Sequence, residues 1–259
     1  MVKLKKYPSL LHYFVLILTV LFFYGCGQRN LVVHKIEGKR IGVTDVLLKT
    51  ESIEQYIEPY RKNIDKDLNT VLAYAPSTLD KKGEWQTPLG MLQSTVTLAA
   101  ASKIFSAREQ KKVDICLLNH GGIRSIINKG NITTRTAFEL MPFENSLVVV
   151  SLRGTEILEL VNYLINEKKP HPLAGMTFTI DKNNTAKDIK VQNEVLDVNK
   201  IYFVATNDYL YNGGDNMVFF KKGIQTYDLD YKLRNVWIDY FKEVDTVVTP
   251  NDVRISKEN

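Results

Sequence analysis

Three short segments constrain this chain more than anything else in it: Asn119-His120-Gly121-Gly122-Ile123-Arg124, Pro142-Phe143-Glu144-Asn145 and Asn212-Gly213-Gly214-Asp215. Each lies at the end of an apolar run. Paired glycines and prolines end regular structure because they set or free φ. A fold that places three such turns at strand ends must bring several strands together. The second half alternates strand and helix patterns. Residues 146–152 and 201–205 read as strands, and 154–165 as a helix with Ile157, Val161 and Leu164 aligned. Residues 176–180 and 189–191 flank Lys182-Asn183-Asn184, a hairpin tip. Residues 228–241 read as a helix with Leu229, Leu233, Val236, Trp237 and Tyr240 on one face. The pattern is mixed α/β, with parallel and antiparallel pairs.

The first half supports the same class. Residues 31–36 and 40–46 read as a strand pair around Gly38-Lys39. Residues 52–68 carry Ile53, Ile57, Tyr60 and Ile64 at helical spacing, and Pro59 is expected to kink or divide that helix. Residues 71–78 read as a strand broken by Pro76. Thr87-Pro88 opens a helix with a capping hydroxyl and Pro in the first turn. Its stripe is Leu89, Leu92, Val96, Ala99 and Ala100. Residues 113–118 form an apolar strand that includes Cys116, read as a small core hydrophobe.

The N-terminus reads separately. Lys3, Lys5 and Lys6 precede an apolar run over residues 13–23, and Gly25-Cys26 follows. A basic head, a short apolar stretch and a small residue describe a secretory signal. The run is shorter than the roughly 20 residues of a membrane-crossing helix. Cys26 after Gly25 resembles the bacterial lipoprotein signal, in which that Cys is lipidated. An uncleaved anchor helix is the alternative. Either reading expects a membrane-anchored body outside the cytoplasm, on the periplasmic side or at the cell surface. Residues 1–25 are then the signal peptide, 26–39 a tether with a first strand, and 40–259 the folded domain. The leader's three lysines supply three of the five net positive charges, so no nucleic-acid surface is read from the charge. Cysteines number two, Cys26 and Cys116, which excludes a disulfide scaffold.

Taken as chemistry, Gly121 and Gly122 allow close backbone approach to a ligand, and Arg124 offers a forked, permanently charged donor to an anion. Phe143, held beside Pro142, suits base stacking, and so does Tyr209. Asp215 is a bidentate acceptor for a diol. In this order the segments resemble the C-terminal domain of the 5'-nucleotidase family, over roughly residues 40–250. The resemblance implies a layered α/β/β/α domain with mixed sheets. It also implies site roles: Asn119 and Arg124, with Gly121 and Gly122, on the phosphate side; the base between Phe143 and Tyr209; Asp215, in the Gly213-Gly214 turn, on the ribose. Asn145 is either a contact to the base edge or a strand-entry cap. His120 falls at a variable position and is a turn residue.

One departure concerns the phosphate. The family has a further Arg before the long helix, and the matching stretch 83–92 here has none. Lys81 or Lys82 is the substitute charge. In the family, catalysis belongs to an N-terminal metallophosphatase domain with two metals. This sequence has no Asp-x-His, Gly-Asn-His-Glu or Gly-His-x-His motif, and His34 and His171 read as surface or packing residues. The implied function is nucleotide or nucleoside recognition for a split 5'-nucleotidase. No catalytic residue, metal or cofactor is then expected in this chain, and divalent metals are expected only on a separately encoded metallophosphatase chain. The alternative is a non-catalytic nucleoside-binding lipoprotein.

Overall fold

The computed structural model describes residues 8–23, 33–42 and 50–258. The chain divides into two units, residues 1–51 and 52–259. In the first, α1 (Pro8–Phe23) is a helix of the apolar run with no acidic residue in its first turn and no basic residue in its last. Among the described residues, no helix is long and apolar enough to cross a membrane. Residues 33–42 contain no strand, so over that stretch the expected pair around Gly38-Lys39 does not form. The remainder of that expectation, and Cys26, lie outside the described residues.

α2 (Glu51–Leu68) runs through Pro59 as one helix, so of the expected kink or division the division does not occur. None of its residues is buried, so the ring meets no packed neighbour there and costs mainly its own missing amide hydrogen bond. Arg135 anchors its C-terminal end through Asp65 at 2.8 Å and Asn69 at 3.3 Å. β1 (Val71–Ala75) stops at the residue before Pro76. α3 (Pro88–Glu109) begins as the sequence dictates: the Thr87 hydroxyl accepts the Gly90 amide proton at 2.9 Å, and Pro88 needs no partner in the first turn.

β2 (Ile115–Leu117) precedes the first Gly-Gly turn. β3 (Gly130–Thr133) pairs antiparallel with β1, and α4 (Thr134–Leu140) follows. β4 (Ser146–Arg153), α5 (Gly154–Glu167), β5 (Leu173–Ala174), β6 (Met176–Ile180), β7 (Ala186–Val191) and β8 (Glu194–Val195) come next. β9 (Ile201–Asn207) then enters α6 (Asp208–Tyr211). β10 (Gln225–Lys232), α7 (Leu233–Glu243) and β11 (Ile255–Lys257) complete the chain. The expected helix over 228–241 is therefore strand up to Lys232. Tyr227, Leu229 and Tyr231 alternate toward one core, and residues 225–228 pair antiparallel with β4. Leu229 and Leu233 share that core from two different elements, so their spacing imitated a helix.

The central sheet has the order β10-β4-β9-β2-β5, with only β2 and β9 parallel. A second sheet has the order β11-β6-β7-β8. β4 shows how the layers arise from the period-two geometry of a strand. Leu147 and Val149 enter the core shared with α3 and α7, and Val148, Val150 and Leu152 enter the core shared with α5 and β6. A sheet buried on both faces reads as a continuous apolar run, as residues 147–150 do. The mixed α/β class holds.

Arg254 ties the C-terminal segment to this framework. It is 6 % exposed and donates to Leu173 O at 2.6 Å, Ser94 Oγ at 2.9 Å, Thr95 Oγ1 at 2.7 Å and Met91 O at 3.2 Å. Asp252 balances its charge at 2.8 Å. Cys116 lies in the core, where burial pushes its thiol far above the ordinary range.

Candidate functional site

The three turns meet in one patch, joined by two side-chain contacts. Asn119 is 7 % exposed, and its amide nitrogen donates to Asp215 Oδ2 at 2.8 Å across 96 residues of sequence. The Arg124 guanidinium lies 5.7 Å from the Phe143 ring centroid, within cation–π range. Residues 120–122 form a single 3-10 turn after β2, closed by the Gly122 amide donating to Asn119 O at 3.0 Å. A Cβ on Gly122 would stand 2.8 Å from Asn119 Oδ1, so only glycine lets that amide fold over the turn. The Arg124 amide donates to Leu140 O at 3.0 Å, which fixes the turn against α4.

Asp215 is the hub. Its Oδ1 accepts the Tyr209 phenol proton at 2.9 Å, and its carbonyl accepts the Tyr163 phenol proton at 2.7 Å. Its φ of 49° lies in the left-handed region, which Asp tolerates better than most residues. α6 sets Tyr209 in place: the Asn207 side chain caps it by accepting the Leu210 amide proton at 2.8 Å. A Cβ on Gly214 would lie 2.4 Å from the Tyr209 ring, so the ring rests directly on that glycine. Gly213, at φ 91°, packs against the Lys221 side chain in the same way. Tyr209 is 46 % exposed and Phe143 41 %, and among the described residues neither stacks on another aromatic ring. Two open rings, one backed by glycine and one by guanidinium, are what a planar ligand needs.

The Phe143 turn is pinned from α7 and β10. Arg234 pairs with Glu144, reaches Pro142 O at 3.4 Å and stacks 4.2 Å from Phe138. Lys232 donates to Glu144 O at 2.8 Å. Asn145 is half-buried, and its carbonyl accepts the Leu233 amide proton at 3.0 Å. Its backbone thus acts at the strand entry.

Of the two candidate substitute charges, Lys81 stands at the site. Its Nζ donates to Ile123 O at 2.5 Å, and burial, then the neighbouring Arg124, pulls its pKa below the usual lysine range. Arg124 itself donates to Gly121 O at 3.2 Å. Among the described residues these two cations have no carboxylate ion-pair partner, so an anion arriving there would meet uncompensated charge. Tyr163, Lys221 and Arg234 went unread in the sequence, because none of them carries a local motif. Of the two readings for His171, surface or packing, the structure gives packing. Among the described residues, no three His, Cys, Asp or Glu side chains stand together as a metal would require.

The fold is a mixed α/β domain whose three turns meet in one patch. The 5'-nucleotidase C-terminal domain model matches residues 68–222, and the chain belongs to that family. It is 26% identical over 215 residues to the trifunctional nucleotide phosphoesterase protein YfkN of Bacillus subtilis, covering 76% of this chain and 14% of that protein. Against a 5'-nucleotidase of Vibrio parahaemolyticus it is 24% identical over 187 residues, covering 69% and 31%. The chain thus spans about a third or less of the length of these relatives. The crystal structure of a 5'-nucleotidase precursor from Thermus thermophilus superimposes with a TM-score of 0.68 at 25% identity, over 80% of this chain and 43% of that one.

Proposed function

We propose that this chain recognises a nucleotide or nucleoside as the substrate-holding half of a split 5'-nucleotidase. The observation that carries the reading is the convergence of the three turns on Asp215 and Arg124, with two open aromatic rings beside them. In this reading Phe143 and Tyr209 hold the base and Asp215 accepts from the ribose hydroxyls. Arg124, with Lys81 in place of the absent second arginine, meets the phosphate. Asn119 spends one amide hydrogen on Asp215 and keeps the other for the ligand. Gly121, Gly122, Gly213 and Gly214 give the backbone its close approach. Cleavage is assigned to a separate metallophosphatase chain, because holding a substrate does not by itself stabilise a transition state.

The test is a reconstitution. The full chain with added Mn²⁺ is expected to release no phosphate from AMP. With its metallophosphatase partner, Arg124→Ala should lower AMP turnover more than turnover of p-nitrophenyl phosphate, a small ester that leaves the nucleotide pocket unused. Phosphate release from AMP by the repurified chain alone would defeat the split-enzyme reading. AMP binding without any partner-dependent turnover would favour the stand-alone binding protein.

Stacking has its own test. Tyr209→Ala should weaken AMP binding by about 1–3 kcal/mol, the range for a lost stacking partner. Tyr209→Phe keeps the ring but releases Asp215, so a smaller loss is expected. Calorimetry showing Tyr209→Ala equal to wild type would exclude the sandwich.

The proposed address is the outer side of a membrane, reached by lipidation of Cys26. Fatty-acid labelling should mark the full chain and not Cys26→Ser, and equal labelling of both would remove the lipid anchor.

A further inference from the structure

We propose that His171 is a positioning residue for the 119–124 loop, a neutral imidazole whose Nδ1 accepts the His120 amide proton and whose Nε2 carries the ring hydrogen. The contact is direct: His120 N lies 3.2 Å from His171 Nδ1. His120 sits between Asn119, which holds Asp215, and Gly121, whose carbonyl accepts from Arg124. An amide N–H can donate to Nδ1 only if that nitrogen is bare, which places the hydrogen on Nε2 and excludes the imidazolium.

The surroundings agree with this tautomer. His171 is 3 % exposed, and among the described residues its buried Nε2 has no hydrogen-bond partner, nor has the buried indole Nε1 of Trp85. Both side chains line a cavity of about 10 Å³, together with Thr87, Pro172 and Arg254. That is close to the space of one water, whose oxygen accepts from two donors. The Tyr163 ring packs 5.7 Å from the imidazole, and its hydroxyl holds the Asp215 carbonyl. His171 therefore braces the loop that bears Asn119, while its neighbour Tyr163 braces the turn that bears Asp215.

The charged groups facing His171 do not overturn its neutrality. Asp215 and Glu167 favour the imidazolium, His120 and Lys169 oppose it, and burial outweighs them all, holding the group down to about 4. The sign follows: the bare Nδ1 persists as pH falls until about 4, and protonation there takes the acceptor away from the His120 amide. Above that range the brace is constant.

The functional consequence rests on the nucleotide-recognition reading, but the geometry can be judged without it. Nitrogen-15 NMR of the full chain should find His171 with Nε2 protonated and Nδ1 bare at pH 7. The His120 amide should titrate together with His171 near pH 4. His171→Asn places an acceptor oxygen where Nδ1 stood, and should leave the amide resonances of residues 119–124 close to wild type. His171→Leu should shift them and weaken AMP binding roughly fivefold to tenfold, the scale of one lost hydrogen bond. A hydrogen on Nδ1 at pH 7, or loop resonances unmoved in a folded His171→Leu, would overturn the proposal. If His171→Leu does not fold, the wild-type tautomer and the His171→Asn spectrum decide. Failure of the wild type to bind AMP would sink the recognition reading and leave these resonance tests standing.

Discussion

Asp215→Asn is expected to reduce the affinity for adenosine and AMP by about tenfold to a hundredfold, the range for lost hydrogen bonds to a charged acceptor. The carboxylate accepts from Asn119 at 2.8 Å and from Tyr209 at 2.9 Å, so it is already fixed before a ribose arrives. Such preorganisation lowers the ordering cost of binding. Asn retains the left-handed φ of 49° that the turn requires, whereas Ala would add backbone strain. One of its side-chain atoms becomes a donor, so only one oxygen is left to accept, and the Tyr209 contact persists only with the phenol turned to accept. Calorimetry reads the affinity, and a thermal melt checks that the fold persists. Wild-type affinity in Asp215→Asn would remove the ribose role.

The second large effect falls on stability. Arg254→Ala is expected to cost about 3 kcal/mol, because buried acceptors on α3 and β5 lose their donor at once. A urea titration should show a lower midpoint with little change in slope. Arg254→Lys should recover only part of the loss, since an ammonium cannot span the fork's separate acceptors. A loss under about 0.5 kcal/mol, the level of an ordinary surface change, would mean that the C-terminal segment is held by other contacts.

The sequence made the turns legible because their chemistry is local. Thr87-Pro88 must start a helix, and Pro76 must end a strand. Gly122 and Gly213-Gly214 mark places where a Cβ would collide with Asn119, with Lys221 or with the Tyr209 ring. That the Asn119 amide would hold Asp215, rather than stand free toward a phosphate, depends on two strand ends distant in sequence. Neither segment says so alone. The Tyr209 hydroxyl is a similar case: the sequence suggests only a stacking ring, and its bond to Asp215 arises only when α6 is capped and seated on Gly214. Arg254 was unreadable because its partners are mostly carbonyls and hydroxyls, which leave no charge pattern. β10 was misread because Leu229 and Leu233 satisfy a helical spacing across an element boundary. α2 is not divided at Pro59 because an exposed helix tolerates a defect that a packed one would not.

The central claim is that nucleotide recognition resides in the three joined turns. Titration of AMP into the nitrogen-15-labelled full chain, followed by amide resonances, tests it most directly. The account predicts saturable shifts concentrated in residues 119–124, 143–145 and 209–215, with β6, β7 and β8 unmoved. No saturable shift, or shifts confined to residues outside these three segments, would contradict it.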